Sequence, residues 1–476
     1  MKKNRYLDTG IFLTILTTVF VIFACDPEEK PFSGMALFEW NMVEPGNAEA
    51  VCGNGSPFRF FVNPSDTSKN VIIYFQAGGA CWDYPSCSGQ EGIRGAANPE
   101  GIPEDFMKAG EIAPVMSPFI WRDHPYDDFK TRNWTMIFIP YCTGDVFTGD
   151  KVVTYTDPEG TEPDLVFHHA GHETVMSVLE WMTQSDYKNN FQHIPTLLVT
   201  GSSAGGVGAF LNYYFIREAL GERVGQGILL NDSGPVYPAE DKPEYPEDLS
   251  LLDGDAPHTA KNYDHSVPNQ RKVMSAWNTD TVLDLIVEGL QDEPDLLTLY
   301  NERDIGDTLN RLISTKYKND RIAHTQFSMD ENFSSYIYER FYPNDIHMDT
   351  DGLDVLIDYW QEDQKALLDL YDELNLSNGN TGYFIPYYRP FNESHTVCTV
   401  SSLGTLIDRS ITGEYINVSV KDFVRDLLNP DVPMSQLRYV EHPSRLEIHG
   451  PIPTLIRHMF DQLSAYMDAI EEKEEM

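Results

Sequence analysis

The chain has 476 residues, of which 41% are hydrophobic, 12% aromatic and 23% charged. That is enough apolar material for a large core, and it excludes collagen-like, coiled-coil and wholly disordered readings. Lys and Arg total 34 against 74 Asp and Glu, a formal net charge of −40. A field of that sign repels phosphate backbones and anionic lipid, so no nucleic-acid partner is expected.

The first residues read as an export signal. Lys2, Lys3 and Arg5 precede an apolar run from Gly10 to Ala24. The run is short for a membrane span and suits a signal-peptide core. Ala24-Cys25 at its end resembles a bacterial lipoprotein signal, with Cys25 as the lipidated N-terminus; a plain signal peptide cut nearby is the alternative. Residues 1–24 are then removed, 25–38 form a tether, and the only membrane attachment is the lipid on Cys25. An exported protein, in the periplasm, at the cell surface or secreted, keeps disulfides. The remaining cysteines, Cys52, Cys81, Cys87, Cys142 and Cys398, are odd in number. Cys81 and Cys87 flank a short loop containing Pro85 and are expected to bridge. No Cys/His spacing matches a zinc site, and no metal or cofactor is expected.

Further along, strands alternate with helices. Arg59–Val62, Val71–Phe75, Thr135–Ile139, Thr196–Thr200 and Gly227–Asn231 are short, apolar, β-rich runs, the pattern of buried parallel strands. Glu173–Met182 has helical spacing, and Ala204–Ile216 reads as a second helix. Residues 233–320 interrupt the rhythm and are expected to form a helical lid or cap. Thr325–Met329 reads as a strand, Leu353–Leu374 as a long helix and Gly382–Tyr388 as the last strand. The expected fold is α/β: an α/β-hydrolase-like, doubly wound, mostly parallel sheet forming one domain over residues 39–465, followed by an acidic tail at 466–476. A monomer is expected.

The chemistry centres on Ser203. Leu197 to Gly206 reads strand, then Gly201-Ser202-Ser203-Ala204-Gly205, then helix. This is the G-x-S-x-G pattern of a nucleophile elbow, whose glycines let the backbone turn sharply. A serine nucleophile needs a base and an acid that orients it. His395 follows the last expected strand and is the expected base. Asp330, closing the strand before it, is preferred as the acid over Asp232, which closes the strand after the nucleophile helix. Asp232 could instead cap its own Asp-Ser-Gly turn. Oxyanion donors are expected from the amides of Gly79, Ala80 and Ala204. His168 and His172 could share a helix face, but they do not form the H-E-x-x-H metal pattern and read as packed histidines.

Six blocks together resemble the pectin acetylesterase family, which includes the Notum carboxylesterases. They are Cys52–Pro57, Ala77–Trp82, Tyr141–Val146, Gly201–Gly206, Asp232–Gly234 and Gln326–Glu331. The resemblance implies an α/β-hydrolase fold and metal-free hydrolysis of carboxylic esters. It also implies a triad on Ser203, Asp330 and His395, and a Cys52–Cys142 bridge beside Cys81–Cys87. The expected partner is an ester substrate, either an acetylated glycan or an acyl ester. A polyanionic pectin fits poorly with the net charge. A catalytically silent glycan-binding surface protein and a serine peptidase are the other readings.

Overall fold

The computed structural model describes residues 31–90, 95–108, 111, 113–124, 129–242, 265–339, 350–389, 392–398 and 405–443. The expected signal peptide, Cys25 and the acidic tail lie outside the described residues. The strands, in chain order, are β1 (Asn41–Val43), β2 (Phe60–Asn63), β3 (Val71–Phe75), β4 (Thr135–Ile139), β5 (Lys151–Tyr155), β6 (Leu165–His169), β7 (Ile194–Ser202), β8 (Val224–Asp232), β9 (Arg321–Thr325), β10 (Thr381–Ile385), β11 (Leu406–Arg409), β12 (Tyr415–Ser419) and β13 (Arg438–Val440). Nine of them form one sheet in the order β1-β2-β4-β3-β7-β8-β9-β10-β13. The β1–β2 and β2–β4 pairs are antiparallel, and every pair from β4 onward is parallel. Every residue of β3, β4, β9 and β10 is buried, as expected of parallel strands covered on both faces. The pairs β5–β6 and β11–β12 are separate two-stranded ribbons.

The helices are α1 (Tyr84–Cys87), α2 (Gly171–Gln184), α3 (Ala204–Leu211), α4 (Tyr213–Leu220), α5 (Val267–Trp277), α6 (Thr279–Gly289), α7 (Pro294–Leu297), α8 (Ile305–Lys316), α9 (Glu331–Ser334), α10 (Thr350–Asn378) and α11 (Val420–Leu427). Several expectations are corrected here. The single helix over Ala204–Ile216 is two, α3 and α4, parted at Asn212. The Asn212 side-chain amide donates to the carbonyls of Phe147 (3.1 Å) and Gly208 (3.0 Å), and so competes with the helix ladder. The strand expected at Thr325–Met329 is β9, which ends at Thr325. Its polar start hid it: the Arg321 guanidinium is satisfied by the carbonyls of Leu427, Val432 and Asp426. β10 is not the last strand, because β13 pairs beyond it. Of the expected 233–320 insertion, residues 243–264 lie outside the described residues. α8 belongs to the sheet layer, since it leads directly into β9. Within the described part of the tether expected over 25–38, Phe32 alone is buried. Phe32 is only 5% exposed and sits against Tyr187 and Phe191.

The turn between β7 and α3 is the tightest point of the sheet. A Cβ on Gly205 would lie 2.2 Å from the Phe75 carbonyl oxygen and 2.7 Å from that of Gln76. A Cβ on Gly201 would lie 2.4 Å from the Gly205 oxygen and 2.6 Å from that of Phe75. Both obstacles are backbone, which cannot swing aside as a side chain can. Gly205→Ala is therefore expected to destabilise the protein by about 3 kcal/mol, the upper part of the overpacking range. Denaturant unfolding of the variant beside wild type checks this.

Candidate active site

Ser203 links the end of β7 to α3 with φ +56° and ψ −126°, a conformation rare for a residue with a side chain. Its amide donates to the Asp232 carbonyl oxygen at 2.8 Å. β7, β8 and β3 end side by side here, the edge of a parallel sheet where ligand clefts form. A cavity of about 720 Å³ opens at this edge. Ser203, Ala204, Gly79, Ala80 and His395 all line it.

His395 is carried on the loop after β10, and its Nδ1 donates to Asp330 Oδ2 at 2.8 Å. That bond sets the tautomer with the lone pair on Nε2. Asp330 is fully buried; its other oxygen caps α9 by accepting from the Phe333 amide at 2.8 Å. The imidazole is 7% exposed, with the Phe333 ring centroid 5.8 Å away. Burial alone would lower its pKa. The Asp330 charge and hydrogen bond, helped by Asp232 and Glu393, outweigh burial and raise it above the usual value. The loop is strained around it: Glu393, Ser394 and Thr396 all have positive φ.

Asp330 and His395 meet because the chain pairs on past the ends of β9 and β10. Ser328 N–H donates to Pro386 O (2.9 Å) and Met329 N–H to Tyr387 O (3.0 Å). Asp330 thus lies at the end of a paired segment rather than at the end of β9. Asp232 contacts the imidazole with neither oxygen. Its carboxylate receives Val397 N–H (2.8 Å) and Cys398 N–H (2.9 Å) from the histidine loop. It therefore caps a distant loop rather than its own turn.

The expected oxyanion donors divide. The amide of Ala204 opens α3, where first-turn N–H groups have no acceptor within the helix. Gly79 lines the same cavity. The Ala80 N–H donates to the Tyr336 hydroxyl at 2.5 Å. The reason is packing, because Tyr336 stands edge-on to Trp82 and turns its hydroxyl onto Ala80. Tyr336 and Phe333 were not among the residues singled out from the sequence.

Cys52–Cys142 and Cys81–Cys87 form disulfides, and buried Cys398 is in neither. His168 and His172 do not share a helix face, since His168 lies on β6 and His172 on α2. His172 is pushed down to about 4 by burial. His169, in β6, bonds Tyr155 Oη (2.8 Å) and Thr143 O (3.0 Å). It lies with Cys81 and Cys87 in the one potential metal-binding group among the described residues, but the disulfide leaves no thiolate to bind. His324 is inside β9, bonded to Gln326 and away from the cavity lining.

The rest of the cavity wall is mostly apolar, with polar side chains such as Asn98, Asn269 and Gln270 among it. It is built from α3 and α4 (Val207, Leu211, Phe215) and from α5, α6 and α8, which include Val273, Ile286 and Leu309. Among the described residues no helix is long and apolar enough to cross a membrane.

Residues 35–242 match the family model described as pectinacetylesterase. The chain is 27% identical over 194 residues to palmitoleoyl-protein carboxylesterase notum1a of Danio rerio, covering 40% of this chain and 34% of that protein. It is 24% identical over 195 residues to palmitoleoyl-protein carboxylesterase NOTUM of Homo sapiens, again covering 40% and 34%. The matched stretch thus spans about a third of the length of these relatives. In three dimensions the chain is similar to the Wnt deacylase Notum from Drosophila, with a TM-score of 0.51 and 18% identity over 85% of this chain and 96% of that one. That likeness carries the α/β-hydrolase-like fold, and residues 35–242 carry a pectinacetylesterase family-model domain whose sequence is similar to the Notum carboxylesterases.

Proposed function

We propose that the protein is a serine carboxylesterase that cleaves a long acyl ester. One observation carries this reading: Ser203, on a strained elbow, opens onto a cavity that also holds an Asp330-bonded imidazole and whose wall is mostly apolar, aliphatic and aromatic, with a few polar side chains such as Asn269 and Gln270. In the proposed reaction His395 Nε2 takes the Ser203 proton as Oγ attacks the ester carbonyl. The Ala204 and Gly79 amides face the developing oxyanion, and Asp330 steadies the imidazolium. His395 returns the proton to the leaving alcohol. Water, deprotonated by the same imidazole, then attacks the acyl-enzyme, releasing the carboxylic acid and restoring Ser203.

The cavity volume is that of a site enclosing a drug-sized ligand. An acetyl group would leave most of its apolar wall bare, whereas a fatty acyl chain would cover it. The relatives named palmitoleoyl-protein carboxylesterases support the same choice. An exported location is supported by the basic, apolar N-terminal sequence and by the two disulfides.

Ser203→Ala is expected to lower turnover of p-nitrophenyl esters by about 10⁴-fold or more and to abolish labelling by a fluorophosphonate. A wild-type protein that fails to label would favour a silent binding protein, and unchanged labelling of Ser203→Ala would place the reactive serine elsewhere. Leu309→Trp is expected to fill the cavity. It should cut kcat/KM for a palmitoyl ester at least about 10-fold and leave that for a butyryl ester within about threefold; a peptide substrate in the same panel tests the peptidase reading. The base must be neutral to act, and its pKa is raised. The acid limb of kcat/KM should therefore fall with an apparent pKa above the ordinary 6.5, activity being lost as pH drops through it. A pH–rate profile checks the value.

A further inference from the structure

We propose that Asp232 is a positioning residue: by binding the histidine loop and the nucleophile elbow together, it fixes His395 relative to Ser203. This rests on the reading of Ser203 and His395 as nucleophile and base. Asp232 is 1% exposed at the end of β8. Its Oδ1 accepts from Val397 N–H (2.8 Å), Thr325 Oγ1 (3.0 Å) and Ser233 Oγ (3.3 Å). Its Oδ2 accepts from Cys398 N–H (2.9 Å) and Ser202 Oγ (3.0 Å). Its backbone carbonyl accepts from Ser203 N–H. One residue thus grips the elbow at two consecutive positions, the end of β9, and the loop two and three residues past His395.

Turn capping does not account for this arrangement. Asn231 does that work, its side chain bonding Gly234 N–H (3.0 Å) and Gly234 O (2.7 Å). The two amides at Asp232 can only donate, so both carboxylate oxygens are required as acceptors. The histidine loop is strained at three residues, and strained backbone persists only where its surroundings over-determine it. Asp232 supplies that restraint with buried, charge-assisted hydrogen bonds. Three carboxyl groups bear on the imidazole: Asp330 from the α9 cap, Glu393 from its own loop and Asp232 from β8. Removing the Asp232 charge therefore lowers the proton affinity of His395.

The test is Asp232→Asn in the full chain, with steady-state kinetics on p-nitrophenyl butyrate and imidazole NMR titration of His395, whose signal is assigned by its loss in His395→Ala. The amide keeps the shape but turns an NH₂ toward a donor. Expected are a fall in kcat of about 10–100-fold, the cost of a misplaced catalytic group, a KM within about twofold, and a lower His395 pKa with the acid limb of the rate profile moving down with it. A kcat within twofold, or a loss matching the unfolded fraction with the His395 pKa unmoved, overturns the proposal. Should the variant fail to fold, Thr325→Val removes one donor to the same carboxylate. It should lower kcat about 2–10-fold in the same pattern, and wild-type kcat in both it and Ser202→Ala also overturns the proposal. The NMR readout needs no turnover. If Ser203→Ala keeps activity while Asp232→Asn still lowers the His395 pKa, the triad reading fails and the positioning role stands.

Discussion

The chain can fold around Ser203 only because α3 begins in contact with the backbone end of β3. Gly201 and Gly205 make that contact, and the Phe75 and Gln76 carbonyls leave no room for a Cβ at Gly205. Ser203 is caught between them with positive φ, so its hydroxyl is thrust past the sheet edge rather than along a face. The strain is local, but its support comes from the neighbouring strand: the Ser203 amide is held by the Asp232 carbonyl on β8. The remainder of the site assembles around a fixed point that the sheet creates.

What was readable in the sequence follows from how local each cause is. The elbow is a ten-residue pattern, and its glycines state their purpose without any distant partner. Asp330 and His395 were reachable through strand order, even though β9 and β10 end several residues earlier than the apolar runs suggest. The runs Thr325–Met329 and Gly382–Tyr388 look like strands because their backbones do go on pairing, through Ser328–Pro386 and Met329–Tyr387. The start of β9 was hidden because Arg321 and His324 are not strand-core residues by type. Their burial depends on carbonyls from α11 and its following loop, and on Gln326. The role of Asp232 was out of reach for the same reason in stronger form: its amide donors lie 165 and 166 residues away.

The acyl cavity shows a further limit. Val273, Val282, Ile286 and Leu309 have helical spacing, and helical spacing of aliphatic residues reads as core. In the structure Val282, Ile286 and Leu309 belong to the buried core and, with Val273, also line the opening beside Ser203. Pattern alone cannot separate a wall from a core, because both need the same side chains. Charge adds little to selectivity here. A net charge of −40 keeps polyanions away at long range, whereas an apolar cavity favours apolar groups, each added methylene contributing about 0.8 kcal/mol when buried.

Thr325 shows how Ser203, His395 and Asp330 are kept in one frame. Its hydroxyl donates to Asp232, its carbonyl accepts from Ser233 N–H at 2.6 Å, and the five residues after it lead to Asp330. Three neighbouring strand ends, β7, β8 and β9, are therefore laced together by bonds that do not depend on any substrate. A base on a long, strained loop would otherwise lose its alignment, since loops open at lower free energy than sheet cores. Tying that loop to a buried carboxylate on β8 gives it the rigidity of the sheet without making it part of the sheet. This is why two carboxylates stand near one imidazole: Asp330 bonds the ring and sets its tautomer, and Asp232 holds the backbone that carries it.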